Sequence, residues 1–147
     1  MAVAFLNPAD QRPGWMTWTI GAADHFVGSV LGRLFVRAES DGCARVRLEP
    51  LEHHRNVNGV YHGGAILSLI DSAIFPATML LTGKTDLNVA TIDLQTQFVA
   101  PGDLDRPLDA LVTLTRETGR MTFTRGVVVQ DDDVVASFTA LQRKIAG

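Results

Sequence analysis

The longest apolar segment of the chain spans residues 63–81 and carries a single charged residue, Asp71. The segment is about as long as a membrane-spanning helix, but an aspartate near the middle of such a helix costs about 2.5–3.5 kcal/mol on an insertion scale. We therefore interpret the segment as the buried helix of a globular fold. We expect no contact with a membrane.

The composition favours one folded domain with a core of ordinary size. Of the 147 residues, 46% are hydrophobic and 20% are charged, which is typical of globular proteins. Cys43 is the only cysteine, so the sequence predicts no internal disulfide, no metal site and a reducing cytoplasmic location. The first ten residues contain no Lys or Arg, and we expect no signal peptide. A net charge of −3 gives no support to nucleic-acid binding.

Residues 1–30 form a lead-in that contains both tryptophans, Trp15 and Trp18, and shows no clear period. Residues 25–31 are compatible with a short helix that ends at Gly32. Residues 31–147 form the main domain. Because every motif described below lies downstream, we expect removal of residues 1–20 to leave the fold intact.

Alternating apolar and polar residues predict five or six strands around the helix. A hairpin with Asp41-Gly42 at its turn precedes the helix, and four strand candidates follow it. The short links between them predict antiparallel neighbours. In the first candidate after the helix, Thr91 falls on the face opposite Ile92 and Leu94. The predicted fold class is α+β, with one long central helix wrapped by a five- or six-stranded antiparallel sheet.

The predicted helix has a broad apolar face and an unusual second face. That second face is small and uncharged apart from the aspartate, and it consists of Gly64, Ser68, Asp71, Phe75, Thr78 and Thr82. Solvated helix faces are usually rich in Lys and Glu, so we expect this face to be covered. The cover is either another subunit or the chain's own sheet. Pro76 removes the hydrogen bond to the Ser72 carbonyl, and we expect the helix to bend there.

Two glycines, Gly63 and Gly64, open the helix directly after His62. Without side chains, the first free amides of the helix can be approached closely by a ligand. Those amides and the helix dipole suit a carbonyl oxygen that becomes negative in a transition state. The alternative is that the glycines only permit tight packing of the loop on the helix.

Asp71 lies eight residues after Gly63, which is about 12 Å along a helix. A base and an oxyanion hole must both lie within roughly 3 Å of one reacting group. If both residues are functional, they therefore act from different protomers. The alternative is a structural aspartate.

The spacing of Asn56, the His62-Gly63-Gly64 run and Asp71 resembles the signature of the hotdog-fold acyl-CoA thioesterases of the phenylacetic-acid-degradation (PaaI-like) type. Residues 89–94 and 98–102 also resemble the strand and turn that follow the helix in that family, and the resemblance covers roughly residues 31–144. It implies a hotdog fold, an acyl-CoA substrate, a homodimer or homotetramer, and no cofactor beyond the coenzyme A of the substrate.

The resemblance also implies roles for individual residues. Gly63 would supply the backbone N–H that polarises the thioester carbonyl, and Asp71 of the neighbouring subunit would activate water or attack directly. Asn56 would orient the water or the thioester, His62 would brace the loop and the helix start, and Thr91 would assist near the carboxylate. We further expect substrate contacts from Gly64 and Ser68.

Hydrolysis of an acyl-CoA thioester is thus the leading function, and two others remain open. A non-catalytic acyl-CoA-binding or sensing module would keep the glycine-opened helix but would not need Asp71. A hotdog dehydratase or hydratase would need a histidine and an acid, and His62 is available. The adjacent polar segment around His53, His54 and Arg55 is a candidate contact for a coenzyme A phosphate, although an exposed loop is the commoner meaning of such a segment.

Overall fold

The computed structural model describes residues 4–146. They form one long helix, α1 (Gly63–Thr82), a short helical segment (Val27–Leu31) and a single helical turn (Glu52–His54). The strands are β1 (Ala4–Pro8), β2 (Met16–Ile20), β3 (Leu34–Ser40), β4 (Cys43–Leu48), β5 (Val89–Phe98), β6 (Leu108–Glu117), β7 (Met121–Gln130) and β8 (Asp133–Lys144).

The eight strands form one antiparallel sheet in the order β1-β2-β3-β4-β6-β7-β8-β5. Helix α1 packs on one face of this sheet, mainly against β3, β4 and β6. The predicted arrangement of one long helix on an antiparallel sheet is confirmed. The six strands that alternation predicted are β3 to β8. The sheet has eight strands because the lead-in adds β1 and β2, which alternation did not predict.

The lead-in belongs to the core through β2. Trp18 is 2% exposed, pairs with Leu34 of β3, and has its ring centre 6.2 Å from that of Phe75. In the sequence, the alternation of Met16, Trp18 and Ile20 with two threonines is the pattern that could have predicted β2. The short helix expected over residues 25–31 is found at Val27–Leu31, and Gly32 follows it with a positive φ of 75°.

The second face of α1 is covered over only half its length. Phe75 packs against Trp18, and Thr78 is fully buried with its hydroxyl donating to the Ile74 carbonyl at 2.8 Å. Leu67 and Asp71, nearer the helix start, are exposed. The chain itself therefore covers the C-terminal half of this face, which corrects the grouping of Thr78 with Asp71. The helix runs on through Pro76. By length and composition α1 could cross a membrane, but 61% of the residues in its apolar window are buried within the protein.

A bulge in β5 reverses the predicted orientation of Thr91. Thr91 pairs with Gln142 and Leu94 pairs with Ala140, and the register shifts between them. Since Gln142 and Ala140 are two residues apart on β8, their side chains lie on the same face of the sheet. Thr91 therefore shares the helix-facing side with Leu94, and the prediction that it lies opposite Leu94 is wrong.

Candidate active site at the start of the helix

Helix α1 begins with one free amide. The Nδ1 atom of His62 accepts a hydrogen bond from the Gly64 N–H at 2.8 Å, and the His62 carbonyl accepts from the N–H groups of Ala65 and Ile66 at 2.9 and 3.2 Å. Within residues 4–146 the N–H of Gly63 has no acceptor. The first turn of a helix leaves such donors at its positive end, so Gly63, and not Gly64, offers a donor to a ligand.

The loop before the helix is closed by Asn56. Its side-chain oxygen accepts from the N–H groups of Asn58 and Val60 at 2.8 and 3.1 Å, and its own N–H donates to the Val60 carbonyl at 2.8 Å. Gly59 completes the turn with a φ of 80°. The Asn56 amide oxygen is therefore used within the loop, while its NH₂ group donates to no residue that the structure describes.

A cleft of about 430 Å³ joins this loop to the end of β5. Asn56 and Gly63 line one side, and Phe98 lines the other. The Phe98 ring is 56% exposed. The residues that complete the cleft are Asn58, Val60, Tyr61, Ile66, Val99, Ala100, Pro101 and Gly102. The two matching stretches of sequence, before the helix and after β5, thus meet in one place.

Five of the seven predicted site residues do not line this cleft. His62 and Gly64 flank Gly63 in the chain, whereas Asp71, Ser68 and Thr91 lie apart from it. Asp71 is exposed and pairs with no cation among the residues described. It lies about 12 Å from Gly63 along the uninterrupted helix. The Ser68 hydroxyl donates to the Gly64 carbonyl at 2.7 Å, and the Thr91 hydroxyl lies 3.4 Å from the side-chain amide of Gln142. A single chain therefore brings Asn56 and Gly63 together, and leaves Asp71, Ser68 and Thr91 apart from them.

Two buried rings support the loop, and the sequence pattern predicted the burial of neither. Tyr61 is buried, and its hydroxyl donates to the Arg106 carbonyl at 2.8 Å. Burial raises the pKa of Tyr61, which keeps the phenol neutral. His54 is 1% exposed, so the expectation that the whole segment around it is an exposed loop is wrong. The polar residues beside His54 in the sequence gave no sign of its burial, because the contacts that bury it come from residues distant in the chain.

One long helix on an antiparallel sheet, with a glycine-opened helix start at the sheet edge, defines a hotdog fold. The family model of the thioesterase superfamily matches residues 58–137, which is more than half of the chain. The chain belongs to the thioesterase superfamily. The resemblance inferred from Asn56, the His62-Gly63-Gly64 run and Asp71 is confirmed at the level of superfamily and fold.

One protein is similar to this chain in sequence, and two solved structures share its fold. A Halobacterium salinarum protein named as an inferred esterase is 37% identical over 99 residues, and the match spans 65% of each chain. The Escherichia coli PaaI protein from the phenylacetic acid degradation operon superposes with a TM-score of 0.67 at 21% identity, covering 81% of this chain and 83% of that one. A hypothetical thioesterase protein of Streptococcus pneumoniae, solved with coenzyme A, has a TM-score of 0.67 at 17% identity, covering 80% and 90%.

Proposed function

We propose that this protein hydrolyses acyl-CoA thioesters. The observation that carries the proposal is the unpaired Gly63 N–H, which opens into a cleft beside Asn56 at the positive end of α1. A thioester carbonyl develops negative charge during attack, and a fixed backbone donor in that position stabilises it. Membership of the thioesterase superfamily and the coenzyme A bound by a protein of the same fold support this choice of substrate.

The proposed reaction needs a base or nucleophile that the cleft of one chain lacks. The oxygen of water bonds to the carbonyl carbon, the carbon–sulfur bond breaks, and the coenzyme A thiolate leaves and is protonated. The partner subunit's Asp71 takes the proton from that water, or attacks the carbonyl itself and is then released by water. The free NH₂ group of Asn56 orients the thioester or the water. Gly63 and Asp71 of one helix lie about 12 Å apart, too far to act on one carbonyl.

The edge strand β5 supports a shared site. Among residues 4–146 this ten-residue strand pairs on one side only, with β8. Asp93 is its only charged residue, and Ile92 and Phe98 are exposed on it. Natural sheets usually guard a long apolar edge with charges, proline or a covering element. We infer that a second copy pairs with β5 in antiparallel fashion. The Thr91 end of the partner's strand then lies beside the Phe98 end, next to the Gly63 cleft.

Thiol release tests the proposal. We would offer the purified protein acetyl-CoA, hexanoyl-CoA and phenylacetyl-CoA, and measure free thiol and acyl-CoA binding in parallel. Turnover of at least one substrate above the uncatalysed rate is expected. Binding without thiol release would identify a binding module instead. An enoyl-CoA would be tested alongside these substrates, and its conversion without thiol release would identify a hydratase.

A further inference from the structure

We infer that neutral His54 is a positioning residue, which holds the Asn56 loop and the start of α1 in the arrangement that leaves the Gly63 N–H free. This inference deepens the proposed thioesterase function, and the effect of His54 on turnover rests on that function. Its structural part concerns only the chain itself and is tested without substrate.

The His54 ring is fixed by one donor and one acceptor contact. Its Nε2 atom lies 2.7 Å from the carbonyl of Val30, and its Nδ1 atom accepts from the Leu51 N–H at 3.1 Å. A carbonyl can only accept and a backbone N–H can only donate. Both contacts are therefore satisfied only by a neutral imidazole with its hydrogen on Nε2. Val30 lies in the short helical segment of the lead-in, where the last carbonyls lack helical partners.

The same residue holds the start of α1 through its backbone. The His54 carbonyl accepts from the His62 N–H at 2.7 Å, and His62 immediately precedes Gly63. The loop between them is closed by the bridge from Arg55 to Tyr61. The Tyr61 ring stacks on His54 with their centres 6.1 Å apart. A shift of His54 would therefore move both ends of the loop that carries Asn56 and ends at Gly63.

Protonation of His54 would break this arrangement. A hydrogen on Nδ1 would face the Leu51 N–H, so that two donors oppose each other in a buried place. Burial lowers the pKa of His54, and the neighbouring His53 lowers it further, while the bond to Val30 raises it. His53 lies on the same turn with its ring 4.8 Å away, Tyr61 faces the ring from the loop, and Val27–Leu31 carries no charged residue. Nearby Glu52 is paired with Arg55.

The direction of the pH effect follows from that lowered pKa. A histidine whose pKa is lowered by folding stabilises the native arrangement fully above its unfolded value of about 6.5. That contribution is lost as the pH falls from there through the native pKa. Turnover should therefore show an acidic limb that follows the titration of His54.

Two histidine variants test this limb. His54→Gln keeps an N–H donor toward Val30 and carries no charge at any pH of interest. It should reduce kcat several-fold at pH 8 and remove the part of the acidic limb that has the midpoint of His54. His53→Gln is the matched control, because His53 is exposed and contacts the same Val30 carbonyl at 2.8 Å. It should leave the limb in place. An acidic limb that persists unchanged in His54→Gln would overturn the inference.

A substrate-free measurement keeps the test decisive if His54→Gln fails to fold or no acyl-CoA is hydrolysed. The ring of His54 and the amide of Gly63 would be followed by NMR across the pH range. The measurement uses the His62→Asn variant, so that residue 62 cannot itself make the Gly63 amide shift depend on pH. Asparagine can still cap the helix but does not titrate. The Gly63 amide shift should change with the same midpoint as His54. A chemical shift of the Gly63 amide that does not follow the titration of His54 would contradict the inference, whatever the outcome for thioester hydrolysis.

Discussion

The ring of Phe98 lies 3.5 Å from the position that a Cβ atom on Gly63 would occupy. Gly63 does not have the positive φ that would make glycine necessary for its conformation. The space beside it is also adequate for a methyl group, since 3.5 Å is an ordinary contact. Gly126 differs, because a Cβ there would lie 1.9 Å from the Leu111 carbonyl. Packing explains the glycine at 126. Contact distances give no such reason for the one at 63, and the proposed function gives access to its N–H as the reason.

Gly63→Ala should separate these two explanations. The new methyl group makes an ordinary contact with Phe98 and favours the helix by up to about 1 kcal/mol, so the melting temperature should not fall. It also narrows the approach to the Gly63 N–H, so kcat should fall by roughly 10–100-fold. Gly119→Ala is the control, because a Cβ there meets nothing within 4 Å. Unchanged kcat in Gly63→Ala would remove Gly63 from the mechanism.

Ile92→Lys should prevent the proposed pairing of two copies along β5. Ile92 is exposed on the unpaired edge of β5, where a lysine opposes pairing with a second copy. Sedimentation should show a dimer or tetramer for the parent and a monomer for the variant, with loss of thioester hydrolysis. Val134→Lys is the matched control, because Val134 is also an exposed apolar residue on a strand, near the β7–β8 turn. It should leave the mass of the particle unchanged. A variant at position 92 that keeps the parent mass would place the interface elsewhere.

Trp18→Ala should destabilise the fold by about 3–5 kcal/mol, because it empties a buried position between β2 and α1. Denaturant unfolding measures the change. Trp15→Ala should cost much less, since Trp15 is only half-buried and lies against the guanidinium of Arg37, 4.5 Å away. The structure thus replaces the expectation that residues 1–20 are dispensable: removing them would take β2 from the core. An equal loss for both variants would argue against that placement.

The parts of the fold that the sequence predicts are those with a long, regular pattern. The apolar run at 63–81 and the alternation in β3 to β8 identified the helix and six strands. The lead-in strands are five residues each and lie among prolines and glycines, so their pattern is too short to stand out. The orientation of Thr91 depended on a single inserted residue in β5, and alternation carries no sign of a bulge.

The candidate site shows the same division. The spacing of Asn56, Gly63 and Asp71 follows from the chain and was available in advance. The burial of His54 depends on Val30 and Tyr61, and the position of Phe98 beside Gly63 depends on how β5 meets the helix start. Both are tertiary contacts that local pattern does not encode.

Asp71→Asn keeps the size of the side chain and removes its charge. Asp71 is exposed and unpaired within the described part of the chain, so stability should change by less than about 0.5 kcal/mol. Turnover should fall by roughly 100-fold or more while acyl-CoA binding changes little, because the carboxylate acts on the attacking water or the carbonyl. Asp86→Asn, at an exposed position after α1, should leave turnover intact. Full activity in Asp71→Asn would make Asp71 a structural residue.

Mixing two inactive variants tests the shared site most directly. Gly63→Val blocks the helix start of one protomer, and Asp71→Asn disables the carboxylate of the other. After random subunit exchange, half of the dimers are mixed and each has one site with both groups intact, so activity should return to about a quarter of the parent value. Exchange would be verified by native mass spectrometry. If mixed dimers form and no activity returns, Gly63 and Asp71 do not act together across the interface.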